Sequence, residues 1–414
     1  MRIAFISYEF PPDSSSGGIA TYLAQAAGIQ ARRGHEVEVF AASPSRDETV
    51  VQEGIVVHWI REVERVDFGL VAGHRFAARH AEKPFDVLEG PEYNADARKA
   101  LALVPEVPLV VKLHTPSRLI ASISASGGLA LKARFLGGNL KLQLAAWQRG
   151  EPPPPFYFSS RQTVQQLDAL ERAHARRAAI VAPPCHDLCR FAEEAWQIDR
   201  DRIRYSPHPY VPPPALLRLE PRDDGQTVGF VGRLERRKGI ETLAAAIPLV
   251  LRAVPQARFR LIGAAGTHPD SGRRYDEWLR EQTRPFADRI DIPGKVDLAR
   301  MSEAYASLDI CAFPSVWENF PNVCLEAMAA ARAVVGSSAG GMAEMLDGGQ
   351  AGRLVPPGDP KALAAAIIAL LRAPDERRRL GEAARRRVLE CYSEATIGAM
   401  MENIYREAIA LKNR

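Results

Sequence analysis

Two glutamates separated by seven residues, Glu318 and Glu326, follow an apolar run that ends at Phe313. Pairs of carboxylates carry out the acid–base and nucleophilic steps of glycosidases. The spacing argues against that chemistry here, because eight helical positions would span about 12 Å, far beyond the roughly 5 Å of a retaining pair. Pro321 suits the first position of a helix. We therefore expect the two carboxylates to contact different parts of one long ligand.

The residues between the glutamates offer a second kind of contact: Asn319, Phe320, Pro321, Asn322 and Val323. At the start of a helix the first amides have no partner within the helix, so those of Asn322 and Val323 are predicted to be free to bind phosphate. The alternative is a capped helix with two solvent-exposed glutamates.

A basic turn follows the predicted strand Thr227–Val231 and opens the next helix. It runs from Gly232 to Gly239 and contains Arg233 and Lys238, whose side chains both suit phosphate oxygens. The turn lacks the G-x-x-x-x-G-K-[ST] pattern of a Walker loop. A solvated basic turn is the alternative interpretation.

In the first half of the chain, Gly17 and Gly18 end a long loop at a helix start, where backbone can approach a phosphate or a sugar. The loop is not G-x-G-x-x-G, which disfavours dinucleotide binding. His114 follows the apolar run 109–113 and is expected to face a cleft, although a purely structural histidine is the alternative. Three further polar residues follow the predicted strand 86–88 and could face the same cleft: Glu89, Glu92 and Tyr93.

The elements that must position these residues are short apolar strands alternating with amphipathic helices. The strands lack polar alternation, which is typical of parallel strands buried on both faces. A proline cluster within 207–214 separates two such series. We therefore predict an α/β fold of two Rossmann-like domains facing across a cleft, 1–206 and 215–392, with a helical insertion at about 117–163. The final segment, 393–414, is predicted to be a helix packed back toward the N-terminal domain.

Composition excludes several classes of protein. The 414 residues carry a net charge of only +4, which gives no reason to expect a nucleic-acid partner. The five cysteines include no C-x-x-C pair, so reduced thiols are expected rather than a metal centre, even where Cys185 and Cys189 flank His186. The N-terminus is expected to be a strand, not a signal peptide. No run is long and apolar enough for a membrane span, so a cytoplasmic protein is expected.

Together these motifs resemble the GT-B-fold retaining glycosyltransferases of family four, over nearly the whole chain. The two glutamates match the family's E-x7-E motif, and the basic turn matches its G-R-x-x-x-x-K-G motif. The remaining matches are the glycine loop, the active-site histidine at His114 and a later pattern at Gly340, Gly341 and Glu344.

The resemblance implies a role for each matched position. Arg233 and Lys238 would hold the donor diphosphate, and Glu326 would bind the ribose hydroxyls. Glu318, with the backbone of 319–322, would orient the donor sugar and its phosphate. His114 would contact the sugar from the other domain. The remaining implied contact is between the nucleobase and the backbone of Gly294, Lys295 and Val296.

The resemblance also implies the reaction. A UDP- or GDP-sugar would serve as co-substrate, with no cofactor and no metal, and a hexosyl group would pass to a hydroxyl on a glycan, a lipid-linked sugar or a small molecule. Bacterial glycan or glycosylated-metabolite biosynthesis is the expected setting. Residues 119–147 could form a lid over the acceptor or a helix making peripheral contact with the inner membrane face.

The chain departs from the family at the linker, where Ser206-Pro207-His208-Pro209-Tyr210 replaces a proline-asparagine-glycine stretch. Ala331 and Ala333 replace a common glycine and proline. Three other functions remain as alternatives. A GT-B-shaped sugar-nucleotide epimerase and a non-catalytic sugar-nucleotide-binding protein would both use the same donor motifs. An NAD-dependent dehydrogenase is disfavoured by the missing glycine fingerprint.

Overall fold

The computed structural model describes residues 1–13, 17–61, 63–124, 159–221 and 225–412. The first half contains a seven-stranded sheet: β1 (Arg2–Ile6), β2 (Glu36–Ser43), β3 (Thr49–Gln52), β4 (Ile55–Arg61), β5 (Val87–Pro91), β6 (Leu109–Lys112) and β7 (Ile180–Ala182). Its order is β3-β4-β2-β1-β5-β6-β7. All neighbours are parallel except β3 and β4, which form an antiparallel hairpin. The sequence analysis did not predict β3, a short edge strand that is mostly exposed, or β7, a strand of only three residues.

Helices cover this sheet, and its central strand β1 is buried along its whole length. The helices of the first half are α1 (Gly18–Arg32), α2 (Phe68–Glu82), α3 (Arg98–Leu103), α4 (Ser117–Ser124), α5 (Ser159–Arg177) and α6 (His186–Glu194). The insertion predicted at about 117–163 lies largely outside the described residues, as does most of the segment 119–147.

The second half contains a six-stranded, wholly parallel sheet in the order β10-β9-β8-β11-β12-β13. Its strands are β8 (Thr227–Val231), β9 (Arg258–Ile262), β10 (Ile290–Gly294), β11 (Ile310–Phe313), β12 (Ala333–Ser337) and β13 (Arg353–Val355). The associated helices are α7 (Pro214–Leu217), α8 (Ile240–Ala253), α9 (Tyr275–Gln282), α10 (Met301–Ala306), α11 (Asn322–Ala329), α12 (Met342–Met345), α13 (Pro360–Leu371) and α14 (Pro374–Cys391). The carboxyl ends of β8 and β11 are adjacent, which brings the loops that follow them together.

The last helix, α15 (Glu394–Lys412), returns to the N-terminal domain and packs on α1, β5 and β6. Its buried stripe includes Ile397, Met401 and Tyr405. The prediction of two parallel-sheet α/β domains is confirmed. Within the described part of the chain, no helix is long and apolar enough to cross a membrane.

Candidate active site

Glu318 lies in the loop after β11 and is only 6% exposed. Its carboxylate accepts hydrogen bonds from the ammonium of Lys238, from Arg237 Nη1 at 3.3 Å and from the Ser315 hydroxyl at 3.0 Å. Burial alone would raise the pKa of Glu318, but the adjacent Lys238 and Arg237 hold that pKa below its ordinary value. The carboxylate is therefore ionised at neutral pH and orients two cations.

Lys238 reaches Glu318 because the basic turn and the loop after β11 come unusually close. Arg236–Lys238 is a single 3-10 turn, and Gly239 after it adopts a left-handed φ of 72°. A Cβ on Gly239 would lie 1.8 Å from the carbonyl oxygen of Pro314, so only glycine fits there. The sequence analysis did not single out Arg237, although it stands in the cationic run that ends at Lys238.

Arg233 occupies a different position from the other two cations. Its side chain is 68% exposed, and its nearest anion is Glu235, at 3.4 Å. Arg237 also pairs with Glu235, at 3.0 Å. Arg233, Arg237 and Lys238 thus stand among Glu235 and Glu318, while the fourth cation of the turn, Arg236, pairs with Glu241 and Asp270. The exposed guanidinium of Arg233 stays open to a ligand. An exposed guanidinium close to further cations favours an anion such as a phosphate group.

Helix α11 starts beside this cluster, at Asn322. The prediction that Pro321 is the first helical residue is wrong by one position, because its ψ of 120° is extended and it caps the helix instead. The Pro321 carbonyl accepts from the amide of Cys324 at 3.0 Å. The amides of Asn322 and Val323 precede that bond and have no acceptor within the helix, so they can bind an anion.

Phe320 makes its side-chain contacts in the protein interior. The ring is 4% exposed and packs edge-to-face on Tyr392 at 5.1 Å. A ligand would therefore meet Phe320 through its backbone, as the resemblance implies for 319–322.

Glu326 lies on α11, where the Tyr305 hydroxyl donates to its carboxylate at 2.8 Å. Burial raises the pKa of Glu326 to about 7, and the hydrogen bond from Tyr305 opposes that shift only in part. Glu318 and Glu326 thus have opposite environments, one paired with cations and the other with a neutral hydroxyl. This difference suits contacts with two chemically different parts of a ligand.

The glycine pair after β12 supports the Glu318 loop. Gly340 pairs with Glu318 in an isolated parallel bridge, and the amide of Gly341 donates to the Glu318 carbonyl at 2.9 Å. Gly340 has a φ of 70°, and a Cβ there would lie 1.9 Å from that carbonyl. Glu344, matched to the same family pattern, accepts from the amide and the ring Nδ1 of His186 in the N-terminal domain, both at 2.7 Å.

His114 stands where the N-terminal domain meets this loop. Its amide donates to both carboxylate oxygens of Glu92, at 2.9 and 2.8 Å, and its carbonyl accepts from the Asn319 side-chain amide. Burial, with a smaller effect from Lys112, lowers the pKa of His114 to about 3, so the imidazole is neutral at physiological pH. The structure therefore brings His114 directly against the loop 314–321 between β11 and α11, which we call the donor loop after the donor expected from the sequence.

The glycine loop lies on the same side of the N-terminal domain. Gly17 is extended and precedes α1, which begins at Gly18. A Cβ on Gly18 would meet no atom within 4 Å, so this helix start is open. Tyr22, one turn further along α1, packs its ring edge-to-face on His114 at 5.2 Å.

Two predicted cleft residues have other roles. Strand β5 extends through Pro91, so Glu89 lies within the strand and its carboxylate is buried between tyrosine hydroxyls. Glu92 is fully buried and fixes the backbone of His114. Glu89 lines a small cavity together with Tyr22, Lys112 and His114, whereas Glu92 is fully buried and Tyr93 stays partly exposed.

The predicted nucleobase contact lies at the end of the edge strand β10. Lys295 is exposed and Val296 packs partly on the domain core. In the described parts of the chain, no hydrogen bond or ion pair joins Lys295 to the basic turn. No group of three or more His, Cys, Asp or Glu among the described residues is arranged to hold a metal ion, and all five cysteines are free thiols.

Comparison with known proteins identifies two family models along the chain. Residues 17–209 match a glycosyl transferase 4-like domain, and residues 225–373 match glycosyl transferases group 1. The phosphatidyl-myo-inositol mannosyltransferase of Mycolicibacterium smegmatis is 30% identical, over 98% of this chain and 93% of that protein. The D-inositol 3-phosphate glycosyltransferase of Kineococcus radiotolerans is 28% identical, over 99% of this chain and 95% of that protein.

Solved structures show the same fold. The sucrose-phosphate synthase of Thermosynechococcus elongatus superposes with a TM-score of 0.74 at 22% identity, covering 99% of both chains. Anabaena HepE in complex with UDP-glucose superposes with a TM-score of 0.64 at 18% identity, covering 97% of this chain and 98% of the other. The likeness extends over both domains, in agreement with the GT-B architecture expected from the sequence.

Proposed function

This chain belongs to the group 1 glycosyltransferases, and on that premise we propose that it moves a sugar from a nucleotide-diphosphate donor to a hydroxyl acceptor with retention of the anomeric configuration. The observation that carries the proposal is the buried Glu318 carboxylate with Lys238 and Arg237 beside it, next to the start of α11.

The diphosphate is the part of the donor that this arrangement fits best. Arg233 offers an exposed guanidinium, and Lys238 and Arg237 add positive charge. The amides of Asn322 and Val323 add hydrogen-bond donors at the N-terminus of α11. A diphosphate bound there would compete with Glu318 for the two cations. Arg233, Arg237 and Lys238 would supply that charge without a metal, and we propose metal-independent transfer.

The contacts proposed for the remaining donor groups are those that the resemblance to the family implies. Glu326 would accept from the ribose hydroxyls, and Glu318 would accept from a hydroxyl of the donor sugar. The backbone of 294–296 would meet the base at the end of β10. HepE, which shares the fold, is described in complex with UDP-glucose, and this supports a UDP-sugar as the first donor to test.

In the proposed reaction the bond between the anomeric carbon and the phosphate oxygen breaks. The acceptor oxygen bonds to the same face of that carbon, and the acceptor proton passes to the departing phosphate. Arg233, Lys238 and the helix amides would stabilise the charge that develops on the phosphate. His114, neutral and fixed by Glu92, would contact the sugar from the opposite domain.

The acceptor is proposed from the relatives. The two full-length relatives described above are both named for inositol-bearing acceptors. We propose a cyclic polyol, free, phosphorylated or lipid-linked, as the acceptor class to test first.

The test combines the purified protein with UDP-, GDP- and ADP-sugars and a panel of inositol-type acceptors, with and without EDTA. We expect nucleotide diphosphate release that depends on one acceptor, persists in EDTA and yields a product whose anomeric configuration, read by NMR, matches the donor. Inverted product would refute retention. A donor altered without acceptor would instead indicate an epimerase, and binding without turnover would indicate a non-catalytic protein.

A further inference from the structure

The chain crosses between the two domains twice, and the two crossings are joined. The first crossing follows Ser206, and the second lies between α14 and α15, at Tyr392. The amide of Tyr210 in the first crossing donates to the carbonyl of Tyr392 in the second, at 2.8 Å. Any change in the angle between the domains must therefore move both segments.

The first crossing is anchored by a buried lysine. Lys112 ends β6, is 1% exposed and donates from its ammonium to the carbonyl of Ser206. The same ammonium lies 4.8 Å from the centre of the Tyr22 ring. Burial lowers the pKa of Lys112 to about 7, so holding an ammonium here is costly.

The second crossing is anchored by a buried carboxylate. Glu89 on β5 accepts hydrogen bonds from the hydroxyl of Tyr22 at 2.8 Å and from the hydroxyl of Tyr405 at 2.7 Å. Tyr405 belongs to α15, the helix that follows the second crossing. Glu89 and Lys112 stand on adjacent strands, where Pro91 pairs with Lys112.

These anchors are also close to the candidate active site. His114 lies two residues after Lys112, and His208 lies two residues after Ser206. The His208 ring packs against the rings of Tyr22 at 4.9 Å, His114 at 5.5 Å and Phe320 at 5.5 Å. The linker thus touches the reactive side of one domain and the donor loop of the other.

We propose that Glu89 and Lys112 are positioning residues, which fix both interdomain crossings relative to His114 and hold the N-terminal domain against the donor loop during transfer. Stability alone does not explain them, because burial disfavours the charged form of each group, and apolar side chains of similar volume are often as stable in such positions. The expected effect on kcat rests on the proposed function, whereas the anchoring of the two crossings does not depend on that function.

The test uses Lys112→Met and Tyr405→Phe, with Tyr275→Phe as the matched control. Tyr275 is likewise a buried tyrosine that donates to a carboxylate, Glu241, but both residues lie within one domain. Hydrogen exchange measured by mass spectrometry would give the exchange rates of the backbone amides in segments 206–213 and 390–397 of the full-length protein. Steady-state kinetics would give kcat and the donor KM.

We expect Lys112→Met to speed exchange in 206–213, and Tyr405→Phe in 390–397, by about tenfold, as the loss of a hydrogen bond involving a charged group predicts. Both variants should lower kcat by about tenfold while the donor KM and the UDP dissociation constant change less than about twofold. Tyr275→Phe should leave exchange at both crossings unchanged.

Unchanged exchange at both crossings would overturn the inference, as would equal losses of kcat and UDP affinity, which indicate general damage. Tyr405→Phe removes a single hydroxyl and keeps the test decisive if Lys112→Met does not fold. If the wild-type protein transfers no sugar, the proposed function fails, whereas the exchange result still decides whether Glu89 and Lys112 anchor the crossings.

Discussion

Replacing Lys238 with alanine tests the candidate active site most directly, because Lys238 serves both the proposed ligand and the protein itself. In the structure it neutralises Glu318, whose side chain is 7% exposed. In the proposed reaction it stabilises charge on the departing phosphate. Removing one preorganised donor of that kind costs about 10²- to 10³-fold in kcat, or roughly 3–4 kcal/mol.

The same change should also destabilise the fold. Glu318 keeps Arg237 and Ser315 but loses its closest cation, and a lost hydrogen bond between charged groups costs about 1.5–3 kcal/mol. Because Lys238 lowers the pKa of Glu318, its stabilising effect is present above the ordinary pKa of a glutamate and fades as the pH falls through the lower folded value. Thermal unfolding at pH 7 should therefore show the loss, and unfolding at strongly acidic pH should show less of it.

The double variant Lys238→Met with Glu318→Gln separates the two effects. It removes both charges, so we expect it to recover most of the unfolding free energy lost in Lys238→Ala while kcat stays at least about 10²-fold below wild type. Arg379→Ala, which removes an exposed cation on α14, is the control and should change neither. If Lys238→Ala keeps kcat within about threefold, or the double variant regains turnover, the role given to Lys238 is refuted.

Two further predictions concern the ribose contact and the support of the donor loop. Burial raises the pKa of Glu326 to about 7, and its ionised form accepts hydrogen bonds from hydroxyls more strongly than its protonated form, so nucleotide affinity measured by calorimetry should increase as the pH rises from 6 to 8. Glu326→Gln should weaken UDP binding by about tenfold and reduce its pH dependence to that of 2′,3′-dideoxy-UDP, which should bind both proteins alike. A pH dependence equal to that of the wild type would exclude Glu326. Gly340→Ala should lower the unfolding free energy by clearly more than Gly272→Ala, which costs about 1–2 kcal/mol, because both positions have a φ of 70° but only at Gly340 would the Cβ meet another atom, the Glu318 carbonyl oxygen. Equal melting temperatures of the two variants would contradict the close approach of the two loops.

The sequence by itself determined the architecture and most of the candidate site. Buried parallel strands are continuous apolar runs, so β8 and β11 could be predicted, and strand–helix alternation indicated two domains. Lys238 and Glu318 could be assigned to one site from their positions in the chain, because both follow parallel strands whose carboxyl ends share one edge. The short edge strand β3 escaped prediction because it is mostly exposed and lacks that apolar signal.

Tertiary structure decided what depends on contacts between segments distant in sequence. Arg237 and Lys238 are adjacent cations, and only the approach of the β11 loop makes both of them partners of Glu318. Glu89 was expected to face the cleft. In the structure its carboxylate accepts hydrogen bonds from Tyr22 and Tyr405, which are far apart in the chain. Local sequence patterns indicate which residues can do chemistry. The burial and pairing of a side chain set its charge and direction, and both are properties of the folded chain.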